Sequence, residues 1–166
     1  YVGLLKSILG YVSTSRHSYD DLSSEIFLNS GGVTFSVTSY PQLASGGFTG
    51  VFAASVRVLY EKLDFGFEIL AEIFRESILD DEKRLREILN EAKSKAQMKL
   101  MDSGHTAAVA RATAYFSDTS YFNDMTGGIG YFQYLEAWTK NFDSRKEEII
   151  AGLKRVTAAL FTKDNM

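Results

Sequence analysis

Leu4, Leu5, Ile8, Leu9 and Val12 recur at three- and four-residue spacing, which predicts an amphipathic helix at the start of the chain. The polar run from Ser13 to His17 interrupts it. Ser18 is an N-cap for a second helix, with Asp21 in its first turn and Leu22, Ile26 and Phe27 on its apolar face. Gly31-Gly32 ends that helix, because glycine adopts the left-handed conformation past a helix end cheaply. The period then switches. Val33 to Tyr40 alternates apolar and polar residues with many β-branched side chains, which predicts a strand. Pro41 to Gly47 reads as turn material, and Val51 to Val58 as a second strand, so the two form an antiparallel hairpin over about 33–58.

Beyond the hairpin the pattern is helical. Leu63 to Glu76 places Leu63, Phe67, Leu70, Ile73 and Phe74 on one face. Asp80 or Asp81 caps a long helix running to about Asp102, with Glu82–Arg86 and Glu91–Lys95 as favourable i,i+4 pairs. Gly104 punctuates it. Thr106 to Ser117 is alanine-rich and suits close helix approach. A short helix around Tyr121–Thr126 stops at Gly127-Gly128, and another spans Gly130 to Thr139. Ser144-Arg145-Lys146-Glu147 matches a capping box opening a last helix with Ile149, Leu153 and Val156 inward. The fold class is therefore α+β: an antiparallel sheet packed against several α-helices. Two strands make a thin sheet, so the expectation is a truncated one whose missing strands lie in flanking sequence.

Composition narrows the chemistry. A length of 166 residues suits one domain with a sizeable core, and 45% hydrophobic content excludes wholesale disorder. The chain has no cysteine, so disulfides and thiolate chemistry are out, and only two histidines. A net charge of -3 gives no nucleic-acid footprint. No apolar run is long enough to span a membrane, and no basic leader precedes the first helix, which points to a cytoplasmic, bacterial-type protein. The first residues fall inside an apolar helical pattern, which suggests a piece of something longer.

No motif completes an active site. Neither His17 nor His105 has a second histidine and a Glu at the spacing of a zinc helix, so no metal ligand is assigned. Asp102-Ser103-Gly104-His105 holds the residue types of a serine triad, but adjacent residues do not fold back into a relay, and the run reads as a polar break between helices. Gly127-Gly128-Ile129-Gly130 follows no strand and lacks GK[ST], so a helix joint is preferred to a phosphate loop. Arg111, set among alanines, calls for a carboxylate or carbonyl partner, and a structural ion pair is preferred to a substrate clamp. Aromatic residues crowd between Tyr115 and Phe142. Core packing is the leading reading of them, with a wall for an extended peptide or a partner domain as the alternative. Tyr115, Tyr131, Tyr134 and Trp138 are the candidate contact residues. No catalytic residue is assigned.

The order of segments carries a resemblance. Tyr1-Val2-Gly3-Leu4-Leu5, Leu9-Gly10, Thr14, Tyr19-Asp20-Asp21-Leu22, Gly31-Gly32-Val33, Ser103-Gly104-His105-x-x-Ala108, Ala110-Arg111-Ala112, Tyr115-Phe116-Ser117 and Gly128-Ile129-Gly130-Tyr131-Phe132 occur collinearly. In that order they resemble the pitrilysin/insulinase-type zinc metallopeptidases, in particular the presequence-protease subgroup. The resemblance implies four related α+β domains of the LuxS/MPP-like metallopeptidase kind, in two halves that close on unfolded peptides. It places zinc and HxxEH in the first domain and this chain, residues 1–166, in the third. Since HxxEH is absent here, no catalytic residue is transferred. Gly31, Gly32, Gly104, His105 and Arg111 carry over as structural motif residues only. The implied partners are the other domains of the same polypeptide and, in the parent, peptide substrates. Exposed strand edges predict self-association of the piece. Two alternatives stay open: a free-standing helical interaction module, and a nucleotide-binding domain using Gly127–Gly130.

Overall fold

A computed structural model of the chain describes residues 1–42 and 46–165. Its architecture is α+β. The helices are α1 (Val2–Ile8), α2 (Tyr19–Asn29), α3 (Leu63–Glu76), α4 (Glu82–Asp102), α5 (Gly104–Thr113), α6 (Asp118–Gly127), α7 (Ile129–Lys140) and α8 (Phe142–Leu160). Strands β1 (Val33–Pro41) and β2 (Phe48–Val56) form an antiparallel pair, and 3-10 turns sit at Tyr60–Lys62 and Lys163–Asn165.

The core is helical. Leu4, Leu5, Ile8 and Leu9 of the short first segment are fully buried, and so are Leu22, Ile73, Leu89, Leu135, Ile149 and Leu153. Helix α1 is thus the hub around which α4, α6, α7 and α8 pack. Its apolar pattern outlasts the helix: Leu9 and Val12 stay buried although the chain leaves α1 at Ile8 and reverses at Gly10, where φ is +80. That backbone angle is one that only glycine takes without strain.

The hairpin lies to one side. Its register pairs Val33 with Val56 and Pro41 with Phe48. Two further bonds, Gly31 N–H to Arg57 O at 2.6 Å and Arg57 N–H to Gly32 O at 3.1 Å, prolong the ladder past both strands. No strand residue is fully buried. The contact with the helices is a cluster of phenylalanines, Phe35, Phe52, Phe74 and Phe161, with ring centroids 4.3–6.1 Å apart.

Several boundaries differ from the pattern reading. Pro41 ends β1 and β2 begins at Phe48, so the strands reach further into the turn than expected, and the central turn residues 43–45 lie outside the described residues. Helix α2 is ended by Ser30 in an extended conformation, whose hydroxyl and N–H both donate to Ile26 O. Gly32, with φ at +109, serves the entry to β1 rather than the helix end. Phe67, Leu63 and Phe27 point outward. Helix α3 instead buries Gly66, Ile69, Glu72 and Ile73, a face rotated by one residue from the expected one. Gly66 is what allows that rotation, since a Cβ there would sit 3.2 Å from Val58. The capping-box expectation fails: α8 starts at Phe142, and the Ser144 hydroxyl lies inside its first turn, donating to Asn141 O. Glu91–Lys95 pairs as expected, but Glu82 bonds Lys146 and Arg86 bonds Asp143, so these charges tie α4 to α8. The alanines of α5 do not make a close helix contact, as none of its residues is buried.

Candidate functional site

Two clefts flank the C-terminal end of α6. The first is aromatic, about 320 Å³, with Tyr1, Phe122, Tyr131, Tyr134 and Trp138 on its walls. Helix spacing explains it: residues 131, 134 and 138 fall on one side of α7 at three- and four-residue steps. Tyr1 stacks on Trp138 at 5.2 Å, and Tyr134 packs against the same indole at 5.7 Å. The Tyr1 hydroxyl donates to Glu148 Oε1 at 3.1 Å, and burial together with Glu148 raises the phenol's pKa. Gly3 lets α1 approach closely, because a Cβ would stand 2.9 Å from Thr126 O. Trp138 and Tyr131 are buried while Tyr134 is 47% exposed, so the cleft has an apolar floor and an accessible rim. The Tyr131 hydroxyl lies buried with no hydrogen-bond partner.

Behind this cleft a polar joint holds α6 to α7. Asp124, 1% exposed, accepts from Arg111 Nη1, from Ile129 N–H at 3.0 Å and from Gly130 N–H at 3.2 Å. One carboxylate thereby neutralises a guanidinium and caps the first turn of α7, where the helix dipole favours negative charge. Asp124 in turn holds the Arg111 guanidinium above its usual pKa. A Cβ on Gly128 or Gly130 would collide with Asp124 at 2.7 Å and 2.6 Å. The Gly127-Gly128-Ile129-Gly130 run is therefore a helix joint shaped around a carboxylate. No strand precedes it, and the N–H groups a phosphate would use are already bonded, so the nucleotide reading is overturned.

A third polar group pins the loop after α1 to α3. Glu72, 5% exposed, accepts from the Thr14 hydroxyl at 2.5 Å and meets His17 Nδ1 at 2.8 Å. The hydrogen bond to Glu72 raises the imidazole pKa, and Glu25 and Asp21 add to it. Arg16 bonds Glu76 through Nε and Nη2 at 3.0 and 2.6 Å.

The candidate residues fall into three places. Tyr131, Tyr134 and Trp138 come together in the aromatic cleft. Tyr115 does not join them: it is 76% exposed beyond α5, with Arg111 5.9 Å from its ring. Phe116 and Tyr121 are exposed as well, so core packing describes only part of the aromatic cluster. Arg111 has the structural ion pair that its setting called for. Gly104 and His105 open α5, both exposed, and a Cβ on Gly104 would meet nothing, so packing gives these two motif positions no role. Ser103 lies between α4 and α5, in the polar break expected for the Asp102–His105 run. The two histidines sit on different elements, His17 is engaged with Glu72, and among the described residues no three His, Asp or Glu side chains converge. The donor set does not fit zinc. No helix among the described residues is long and apolar enough to cross a membrane. The Glu72 cluster went unread in the sequence, since a Glu between Ala71 and Ile73 on an apolar helix was its only signal.

Comparison with known proteins settles the family. Residues 1–137 match the family described as "Peptidase M-16C associated". The chain belongs to that family. It is 29% identical over its whole length to Protein HypA of Clostridium perfringens, of which it covers 17%. It is 25% identical over 99% of its length to the mitochondrial presequence protease of Yarrowia lipolytica, again covering 17%. The mitochondrial presequence protease of Drosophila melanogaster is 21% identical over 98% of the chain. This peptidase-associated chain thus spans about one-sixth of the length of the curated relatives it matches.

Proposed function

We propose that residues 1–166 are a non-catalytic domain of a zinc peptidase of the presequence-protease type, supplying chamber wall and interface between the two halves of the enzyme. The observation that carries this reading is the family match across most of the chain together with a donor set that fits no zinc site. Zinc and its chemistry belong to another part of the parent, which acts as the hydrolase. The partners are the other domains of that polypeptide, and unfolded peptides are the parent's substrates.

The surface supports an interface role. Phe116 is 90% exposed, Tyr115 76%, Met101 76% and Val109 64%, an apolar end built by α4 and α5. The rim of the aromatic cleft, at Tyr134, adds an amphipathic contact of the kind enriched at interfaces. Domain contacts in the parent cover the first surface, and the cleft faces peptide. In the isolated chain the open edges of β1 and β2 pair with a second copy. The compartment follows the parent. The higher identity to the bacterial protein favours a cytoplasmic setting over the mitochondrial one named for the presequence proteases.

The test uses the full-length parent. Phe116→Ser and Val109→Ser together lower peptide turnover by loosening the half–half contact, while zinc content stays unchanged. Turnover that survives both substitutions contradicts the interface role.

A further inference from the structure

The second cleft beside α6, about 300 Å³, has no part in the roles described so far. Lys6, Lys99, Ser103, Thr106, Asn123 and Asp124 contribute its polar groups, and Val37, Leu100 and Ala107 its apolar wall. The charge count is one-sided. Asp124 is the only carboxylate on the cleft among the described residues, and Arg111 and two backbone N–H groups already claim it. Lys6 is half-buried and has only neutral company: its ammonium donates to Thr126 O at 2.8 Å and lies 5.4 Å from the Tyr131 ring centroid. Burial and the charge of Lys99 both lower its pKa. Lys99 has no ion pair among the described residues. A half-buried cation beside a second cation is an unfavourable arrangement until an anion arrives.

The neutral groups on the cleft also donate. Asn123 Oδ1 is occupied by the Ser39 hydroxyl at 2.9 Å, which leaves its NH2 group free to donate. Ser103 makes no side-chain cap bond to α5, and the first turn of that helix holds no acid, in contrast to α7 with its built-in carboxylate.

We propose that this cleft is a carboxylate site, taking the C-terminal or a side-chain carboxylate of a peptide between Lys6 and Lys99, with an apolar residue against Val37, Leu100 and Ala107. The apolar wall favours an organic carboxylate over inorganic phosphate. The ligand class rests on the peptide-facing reading of this end of the molecule. The cleft shares Thr126 with the aromatic one, so one peptide reaches both.

The test is an amide-resolved NMR titration of the 166-residue chain with three acetylated peptides of the same apolar sequence: a free acid, its C-terminal amide, and the amide with an internal Glu. The free acid shifts the amides of residues 104–107 and 126–128. The simple amide binds about tenfold more weakly, as expected for a lost charge-assisted hydrogen bond. The Glu-containing amide recovers the affinity if the source is a side chain and does not if it is the chain end; either pattern supports the site. Lys99→Gln, an exposed substitution that leaves the core intact, weakens the free acid several-fold. Equal affinity of acid and amides, an unchanged Lys99→Gln, or the absence of shifts at both segments overturns the proposal. Shifts confined to Tyr134 and Trp138 do so too, and leave the peptide contact at the aromatic cleft standing.

Discussion

Replacing Asp124 by alanine perturbs the joint that positions both clefts. The side chain is buried and holds two N–H groups of α7 besides the Arg111 guanidinium. Its removal leaves the Gly130 N–H, which is buried, and the Ile129 N–H, which is half-buried, without an acceptor. An orphaned buried donor costs about 1–3 kcal/mol, so the two together cost about 2–4 kcal/mol, with the half-buried one at the low end. The lost ion pair adds to this in the same direction, but Arg111 reaches solvent and is rehydrated. With a urea slope of about 2 kcal/mol/M, the midpoint falls by about 1–2 M. Asp124→Asn keeps one acceptor and loses about half as much. Arg111→Ala is milder than Asp124→Ala, because the carboxylate retains both N–H donors and the α7 dipole. Equilibrium urea unfolding followed by far-UV circular dichroism measures all three. A midpoint for Asp124→Ala within about 0.25 M of the unmodified chain, or an Arg111→Ala loss larger than that of Asp124→Ala, overturns the role given to this carboxylate.

His17 has its pKa raised in the fold by Glu72, so its contribution to stability is full below the ordinary histidine value near 6.5 and is lost as pH rises through the raised value. An NMR titration of the His17 ring shows the elevated midpoint, and Glu72→Gln returns it toward the ordinary value; an unshifted His17 contradicts this. Gly152→Ala drives a Cβ to 2.3 Å from the Tyr1 ring, so Tyr1 leaves its stack on Trp138, the sole tryptophan. The emission of Trp138 changes, and overpacking costs about 1–3 kcal/mol. A spectrum identical to that of the unmodified chain speaks against the stack. Sedimentation velocity detects association of the chain through its strand edges, and Ala53→Lys on β2 suppresses it. A strict monomer at high concentration, before any substitution, removes that idea.

Element types were legible in the sequence wherever one local rule governed. Period-2 alternation marked β1, and Ser18 capped α2 as expected, accepting from the Asp21 N–H at 3.2 Å. Asp81 took the Arg84 N–H at 2.9 Å. The errors came where tertiary contacts chose between local options. Phe67 and Phe27 look inward by hydrophobicity, yet Gly66 lets α3 press its other face on the hairpin, and Phe67 stays 69% exposed. Ser144 matched a capping box, but Phe142 is buried and draws the helix start toward Asn141. The Arg111 pair was foreseeable in kind, because a guanidinium among alanines needs an anion. Its partner was not, since Asp124 lies 13 residues on, across a turn whose shape only the fold defines. The meeting of Lys6 with Lys99 has no local signature at all. It arises because the short α1 threads beneath the end of α4. The collinear family motifs located the chain among peptidases more surely than any single residue did, and the match over residues 1–137 agrees with them.

On the function proposed here, the chemistry of the parent enzyme lies outside this chain. The decisive experiment incubates the purified 166-residue chain with a quenched fluorescent peptide and zinc, beside the full-length parent. Zinc-dependent cleavage is expected from the parent and none from the chain. Cleavage by the chain alone, abolished by EDTA, would place zinc chemistry within these residues and contradict the proposal.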